Sequence, residues 1–270
     1  MKINLIANLE RIPTKDLIVF DLDGTLIETK SPMDREMSRL LAKLLTMKRV
    51  AVIGGGKYEI FKSLFLQRLK CPRSLLSHLF IFPTTSTSFY KYSKGGWKNV
   101  YSLRLEAREV KKIKDTFEKV FKEIGYKHPK KTYGEIIEDR GTQVSFSVYG
   151  QDLVAVLGKK GVRMKKKWKR EHTPTKMKIA RLMAKYLPEF EVRAAGHTTV
   201  DVTQKGIDKA YGLSQIKKHL KVPLSKMLFV GDALYPGGND YAIVRTGVDY
   251  IAVSGPKETK AVIRKLIKSH

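Results

Sequence analysis

The stretch Ile18-Val19-Phe20-Asp21-Leu22-Asp23-Gly24-Thr25-Leu26-Ile27 decides the fold class of this chain. Its apolar run ends in two carboxylates and then Gly-Thr, a pattern that predicts a buried strand with acids at its tip. Alternate side chains of a strand share a face, so Asp21 and Asp23 would lie together unless the turn at Gly24 re-aims the second. Such carboxylates repel each other unless a cation or a shared proton relieves the repulsion. The alternative is a strand ending in a solvated Asp-Gly turn, but the continuous apolar run favours a central parallel strand.

These residues resemble the first motif of the haloacid dehalogenase (HAD) superfamily, Asp-x-Asp-Gly-Thr. The resemblance implies that Asp21 is the nucleophile that takes the phosphoryl group and that Asp23 is the general acid and base. It also implies a Mg2+ ion shared by the Asp21 carboxylate, the Asp23 backbone carbonyl and a further acid. A carboxylate nucleophile divides a difficult displacement into two steps through an acyl phosphate. A hard divalent cation neutralises the phosphoryl oxygens.

A second apolar run, Met227 to Val230, supplies the further acid. It ends in Gly231-Asp232 and leads through a Pro-Gly-Gly-Asn loop to Asp240. The fourth motif of the superfamily has this form, which implies that Asp232 binds Mg2+ and that Asp240 orients the water of the metal. Gly-Asp alone is a weak signal, and it gains weight from its pairing with the first motif. The metal candidates are therefore Asp21, Asp23, Asp232 and Asp240.

Lys209 is the candidate cation beside the nucleophile. It follows Gly206-Ile207-Asp208, and the third motif of the superfamily is a lysine that opens a helix after a glycine. Such a lysine would hold Asp21 ionised and offset charge on the transferring group. Among 53 Lys and Arg residues any one lysine is more often a solvated surface charge, and the position after the strand-like segment Thr199 to Thr203 distinguishes this one.

The second motif is where this chain departs from the superfamily. After the strand predicted over residues 49–53, the superfamily has a Ser or Thr that binds the phosphoryl group, and this chain has Gly54-Gly55-Gly56. Backbone N–H groups of a glycine turn can also bind phosphate, so we expect Gly24, these three glycines and Lys209 to form the phosphate site. The lost donor would cost about 1–3 kcal/mol in transition-state binding, and a weak or lapsed enzyme is the alternative.

The order of predicted elements indicates an α/β core interrupted by an α+β insert. Strand and helix alternate over residues 17–82 and again from Gly206 to the end. Between them we predict a hairpin at Lys94-Gly95-Gly96, a helix over 106–124, strands over 133–137 and 142–149, a helix over 175–186, and strands over 190–194 and 198–203. The predicted fold is therefore a Rossmann-like parallel-sheet core of residues 1–83 and 205–270, with an inserted domain of residues 84–204.

The insert lies where the superfamily carries a C2-type cap. Three stretches narrow the resemblance: Gly237-Gly238-Asn239-Asp240, Ile137-Glu138-Asp139-Arg140, and Asp201-Val202 before Gly206. In these the chain resembles the HAD-IIB hydrolases and the eukaryotic-type phosphomannomutases. In the mutases, arginines of the cap bind the phosphate remote from the reacting one, and Arg140 matches one of them. Gln151 stands where a second arginine is expected, which counts against a mutase because a bisphosphate must be held at both ends. Ser147 and Asp201 are further candidates for binding sugar hydroxyls, and a surface ion pair is the alternative role for Arg140.

Composition sets broader limits. The chain has 270 residues, 42% of them hydrophobic, enough for one large domain or two small ones. Its single cysteine, Cys71, excludes an internal disulfide and fits a reducing compartment. Residues 1–13 contain no apolar stretch typical of a signal peptide, and no run reaches the roughly 18 residues of a membrane span. These features predict a cytoplasmic protein with no membrane partner.

The net charge of +27 predicts attraction to anions: phosphorylated metabolites, anionic lipid or nucleic acid. The densest segment, Lys159 to Arg170, has eight basic residues among twelve, no acid, and Trp168 as a candidate stacking platform. The alternative is a solvated loop of a generally basic protein, which the absence of a helix-turn-helix or zinc motif favours.

Three functions follow. The first is a Mg2+-dependent phosphatase that acts on a small phosphorylated metabolite, such as a sugar phosphate, through an aspartyl phosphate. The second is a mutase of the phosphomannomutase type, for which the resemblance also implies a homodimer formed through the cap. The third is a HAD-scaffold protein that binds nucleic acid or another polyanion, with weak chemistry or none.

Overall fold

The computed structural model describes residues 15–268, which form two compact units. The first unit contains the described residues up to Ser102 and from Asp208 onward, and the second contains Leu103–Ile207. The prediction about a signal peptide concerns residues 1–13 and lies outside the described residues. Within residues 15–268, no helix is both long enough and apolar enough to cross a membrane.

The elements follow in three runs along the chain. The first run is β1 (Leu17–Asp21), α1 (Arg35–Leu45), β2 (Arg49–Ile53), α2 (Tyr58–Ile60), β3 (Leu79–Phe82), the turn α3 (Pro83–Ser86), β4 (Ser88–Ser93) and β5 (Gly96–Ser102). The second is α4 (Ala107–Ile124), β6 (Ile137–Asp139), β7 (Val144–Ser147), α5 (Leu153–Leu157), α6 (Lys159–Tyr186), β8 (Phe190–Ala195) and β9 (Thr199–Gln204). The third is α7 (Lys209–Leu220), β10 (Met227–Gly231), β11 (Asp249–Ala252) and α8 (Pro256–Lys268).

The first unit is built on a seven-stranded sheet in the order β11-β10-β1-β2-β3-β4-β5. The strands from β11 to β3 run parallel, and β1 lies among them with all five residues buried. Apolar side chains of β1 alternate between two hydrophobic clusters, one on each face of the sheet. The predicted central parallel strand and the predicted α/β fold class are therefore confirmed, and the carboxyl ends of β1 and β10 meet at one edge.

The hairpin of β4 and β5 belongs to the first unit and not to the insert. Strand β4 pairs antiparallel with β3 and thereby extends the main sheet. The ring of Phe89 stacks on that of Phe82 with 4.4 Å between ring centroids, so the hairpin buries its apolar face on the core. The second unit accordingly starts at Leu103, whereas the sequence predicted an insert from residue 84.

The second unit is a four-stranded antiparallel sheet in the order β6-β7-β9-β8 with two helices, α4 and α6, packed against it. Phe117 of α4, Phe146 of β7, and Ile179 of α6 are fully buried in a common hydrophobic cluster. The predicted α+β character of the insert is confirmed, although the strand predicted over 133–137 lies instead at Ile137–Asp139.

Helix α6 differs most from the prediction. The sequence predicted a helix only over residues 175–186 and favoured a solvated loop for the basic run before it. The structure has one helix over Lys159–Tyr186, interrupted at His172, two residues before Pro174. Lysine and arginine are good helix formers, and buried Trp168 anchors this part of the helix to the core of the unit.

Candidate active site

The candidate active site begins at the carboxyl end of β1. Asp21 is the last residue of that strand and is 3% exposed. Gly24 has a φ of +89°, a conformation that L side chains rarely adopt, and it turns the chain away from the strand. Asp23 therefore lies in the turn, where its Oδ1 accepts a hydrogen bond from the backbone N–H of Lys30 at 2.6 Å.

The two acids predicted after β10 lie beside Asp21. Carboxylate oxygens of Asp21, Asp232 and Asp240 all lie within 4.8 Å of one another. Two glycines make room for them: a Cβ atom on Gly24 would collide with the Asp232 carboxylate, and one on Gly231 would collide with the Asp240 carboxylate. The structure thus brings together three acids from two distant parts of the sequence.

Lys209 joins this acidic cluster at the first position of α7. Its side chain is 2% exposed, and its Nζ lies 2.5 Å from Oδ1 of Asp21 and also forms an ion pair with Asp240. Asp208 caps the helix by accepting the N–H of Tyr211 at 2.8 Å, and Arg245 forms an ion pair with Asp208. Sequence reasoning did not identify Asp208 as a positioning residue, although an aspartate before a helix is a recognisable capping signal.

Electrostatics of the cluster leave an excess of negative charge. Burial raises the pKa of Asp21 well above its ordinary value, Lys209 offsets part of the rise, and Asp240 and Asp232 add to it. Burial and then Asp240 raise the pKa of Asp232 to about 6. Burial acts to lower the pKa of Lys209, but the carboxylates of Asp21 and Asp240 outweigh it and place that pKa above its ordinary value. One lysine thus forms ion pairs with two of the three acids, Asp21 and Asp240.

The donor atoms of this cluster fit a hard divalent cation. Oδ2 of Asp21 is buried and has no hydrogen-bond partner within residues 15–268. Asp232 contributes a second carboxylate at the same edge. Both oxygens of Asp240 already have donors, namely Lys209 for Oδ1 and, at 3.0 Å, the N–H of Ala233 for Oδ2. Asp21 and Asp232 are thus the carboxylates suited to Mg2+ itself, because this cation prefers oxygen ligands, and Asp240 is suited to an outer role.

The glycine loop after β2 lies next to this cluster, since Asp21 pairs with Ile53 in the sheet. The loop is held by an unusual turn. The N–H of Thr84 donates to the carbonyl of Gly56 and the N–H of Thr85 to that of Gly54, both at 2.9 Å.

Three consecutive residues of that turn, Thr84, Thr85 and Ser86, have φ values of 49°, 57° and 69°. A left-handed conformation is rare for non-glycine residues, and strained segments of this kind are concentrated at functional sites. The sequence contains no glycine or asparagine at these positions, so sequence reasoning missed the turn.

The three candidate residues of the insert all lie in the second unit. Arg140 donates to Glu138 at 2.7 Å and to Gln151 at 2.8 Å, and its ion pair with Glu138 is nearly buried rather than at the surface. Ser147 is fully buried and donates its hydroxyl to the carbonyl of Gly150 at 3.0 Å. Asp201 accepts a hydrogen bond from Ser145. Roles for Arg140, Ser147 and Asp201 in substrate binding remain predictions.

Residues 18–270 match the family described as haloacid dehalogenase-like hydrolase, and the chain therefore belongs to this family. Among its relatives, a phosphomannomutase from Encephalitozoon cuniculi is 28% identical over 263 residues, 94% of each protein. The phosphomannomutase of Saccharomyces cerevisiae is 25% identical over 253 residues, 93% of each. These matches confirm the predicted superfamily and its likeness to phosphomannomutases.

Solved structures share the fold. A truncated IMP-nucleotidase of Plasmodium falciparum superposes with a TM-score of 0.69 at 18% identity, covering 97% of this chain and 74% of that one. A trehalose-6-phosphate phosphatase of Aspergillus fumigatus superposes with a TM-score of 0.54 at 14% identity, covering 96% of both. These two structures show the HAD fold, and the family match together with the phosphomannomutase relatives defines the protein as a phosphatase or phosphotransferase.

Proposed function

We propose that this protein is a Mg2+-dependent phosphatase that hydrolyses a small phosphorylated metabolite through an aspartyl phosphate on Asp21. One observation carries the proposal. The Asp21 carboxylate is buried, one of its oxygens is bound by Lys209, and the other has no hydrogen-bond partner in the described part of the chain. A carboxylate held in this way is oriented by a fixed cation, and its second oxygen remains open to the metal and the phosphoryl group.

The reaction divides into two displacements. The carboxylate of Asp21 attacks phosphorus, the bond from phosphorus to the leaving oxygen breaks, and Asp23 gives its proton to that oxygen. Asp23, now ionised, takes a proton from water, which attacks the aspartyl phosphate and releases inorganic phosphate and the free Asp21 carboxylate. Lys209 stays beside Asp21 and stabilises charge on the phosphoryl group. Mg2+, held by Asp21, Asp232 and the Asp23 carbonyl, would neutralise the phosphoryl oxygens.

A sugar phosphate is the substrate class that the relatives support. The names of the near-full-length relatives specify mannose phosphate, and one structural neighbour is named for trehalose 6-phosphate. Polar residues of the second unit, Ser147 and Asp201 among them, are proposed to bind sugar hydroxyls.

A mutase is the second candidate, because phosphomannomutases are similar to this chain over more than nine-tenths of their length. Two features favour the phosphatase over it. Gln151 is an uncharged residue at the position where an arginine was expected, and Arg140 is already paired with Glu138. A mutase must hold the second phosphate of a bisphosphate intermediate, which these residues do weakly.

Phosphate release from a panel of phosphorylated metabolites tests the proposal. We expect release that depends on Mg2+ and is abolished in Asp21→Asn, whereas the exposed control Asp115→Asn retains it. Conversion of mannose 1-phosphate to mannose 6-phosphate with a bisphosphate primer, without net release, would favour the mutase instead. Release that persists in Asp21→Asn would contradict the aspartyl-phosphate route.

Two further predictions concern the protein outside its active site. We propose a cytoplasmic location and a homodimer formed through the second unit. Light scattering after gel filtration measures the oligomeric state, and a mass near 30.8 kDa, that of one chain, would contradict the homodimer.

A further inference from the structure

Helix α6 concentrates exposed positive charge on one side. Its 28 residues include twelve Lys or Arg and a single acid, Glu171. Six exposed residues before the interruption at His172 form what we call the α6 cationic face: Lys159, Lys160, Arg163, Lys166, Lys167 and Arg170. At about 100° per residue these six side chains fall within an arc of about 120°. The buried residues Gly161, Lys165 and Trp168 lie on the opposite side.

This face is not explained by the basic composition of the chain alone. Helix α4 packs against the same core and has six basic and four acidic residues, with an ion pair of 2.6 Å between Lys111 and Asp115. Within residues 15–268, the α6 cationic face has one ion pair, between Arg170 and Glu171 at 3.5 Å. A generally basic protein would show similar patterns on both helices, whereas α6 keeps its charges uncompensated.

Six like charges along about 16 Å of helix repel each other and attract a polyanion with closely spaced charges. The phosphate backbone of duplex nucleic acid has this property. Contact with bases is not favoured, because Trp168 is only 6% exposed and its ring is stacked on His172. An interfacial membrane helix inserts an apolar face into the bilayer, but the apolar side of α6 is packed into the core of its own unit.

We propose that the α6 cationic face binds the phosphate backbone of duplex nucleic acid without sequence preference. The surface lies in the second unit, whereas Asp21 and Lys209 lie in the first, and the proposal does not depend on the phosphatase activity. Lys165, which belongs to the same basic run, takes no part because its side chain is 2% exposed.

Fluorescence anisotropy with two labelled 20-base-pair duplexes of unrelated sequence, titrated with the full chain at 50 to 200 mM salt, tests the proposal. The variant Arg163→Gln/Lys166→Gln/Lys167→Gln removes three charges from the face. We expect it to weaken binding to both duplexes by at least tenfold at the lowest salt. The slope of log K against log salt should fall by about 2–3, because each phosphate contact contributes about 0.9.

A control variant, Lys111→Gln/Lys119→Gln/Lys122→Gln, removes the same charge from α4 and should stay within twofold of the native protein. Equal weakening in both variants would overturn the proposal, since the net charge would then suffice. Strong preference for one duplex would also overturn it. A third result would overturn the proposal: the duplexes do not bind, the native protein co-sediments with phosphatidylserine vesicles, and the first variant does not. Thermal unfolding of both variants and unchanged phosphate release would confirm that each is folded.

Discussion

A single side chain, Lys209, holds the candidate active site together. It is the shared partner of Asp21 and Asp240, and it is buried with them. Sequence motifs predicted Lys209 and all three neighbouring acids. Asp21 and Asp232 lie where strands end and Lys209 begins a helix, whereas Asp240 was predicted from the resemblance to the fourth motif of the superfamily. The motifs did not reveal the ion pair of Asp208 with Arg245, since its partners are 37 residues apart and neither has a local signal for the other.

Lys209→Met should abolish most activity. The substitution keeps a similar volume but leaves buried carboxylates without their cation, so we expect kcat to fall at least a hundredfold. Loss of one partner of a buried ion pair should also lower the free energy of unfolding by about 3 kcal/mol. Steady-state kinetics with Mg2+ measure the fall in kcat, and urea unfolding in EDTA measures the change in the free energy of unfolding. Lys218→Met, at an exposed position of the same helix, should change neither, and retention of activity in Lys209→Met would refute the assigned role.

Gly56→Ser should raise activity if the missing hydroxyl limits the enzyme. Gly56 does not have a positive φ, and a Cβ there would lie 3.2 Å from the Cγ2 atom of Ile60, so a small shift of that side chain suffices. A restored donor worth about 1.4 kcal/mol corresponds to a tenfold rise in kcat. Gly56→Ala adds the same Cβ without the hydroxyl and should give no rise. Equal activities of the two variants would mean that backbone groups already serve this position.

At the scale of elements, the turn α3 and the first half of helix α6 were not predicted from the sequence, whereas the central strands were. Strands β1 and β10 were predicted because a continuous apolar run indicates a strand that is buried on both faces. The left-handed turn of Thr84 to Ser86 is imposed by contacts with the glycine loop, which outweigh local preference. Helix α6 was missed over its first half because lysine-rich sequence suggests solvated chain until the spacing of buried Gly161, Lys165 and Trp168 is known.

Thr85→Gly should stabilise the protein. A left-handed conformation costs a β-branched residue about 1–2 kcal/mol, and glycine adopts it freely at an entropic cost of about 0.5–1 kcal/mol. The side chain of Thr85 is half-buried and its N–H bond to Gly54 is retained, so we expect a gain of about 1 kcal/mol in urea unfolding. Thr173→Gly, in the helical part of α6, should destabilise. A lower free energy of unfolding in Thr85→Gly would show that the threonine side chain stabilises the turn by more than the left-handed conformation costs.

At the scale of the whole molecule, the chain combines an acidic cluster in one unit with a cationic surface in the other. The parallel core and the insert were both predicted, because the change in element pattern is visible along the chain. The second unit starts at Leu103, whereas the sequence predicted an insert from residue 84, because β4 pairs with β3 and the hairpin sequence alone does not indicate that pairing. A net charge of +27 suits a protein whose proposed substrate and proposed partner are both phosphorylated.

The same excess of positive charge makes the stability of the second unit depend on pH through His197. Burial, and then the charges of Lys169, Lys165, Lys166 and Lys176, lower the pKa of His197 from 6.5 to about 4. The unfolded chain therefore binds more protons than the folded one between these values, and stability present above pH 6.5 is lost as the pH falls toward 4. Urea unfolding midpoints should decrease across this window.

His197→Gln removes the titrating group and should flatten that decrease, whereas the exposed control His172→Gln in the same unit should leave it unchanged. Glutamine keeps a polar side chain of similar length, so the variant should fold. Asp232 of the first unit, with a pKa of about 6, also titrates in this range, and the difference between the native protein and His197→Gln at each pH therefore isolates the contribution of His197. An identical pH dependence for the native protein and His197→Gln would mean that burial and these lysines do not lower the pKa of His197.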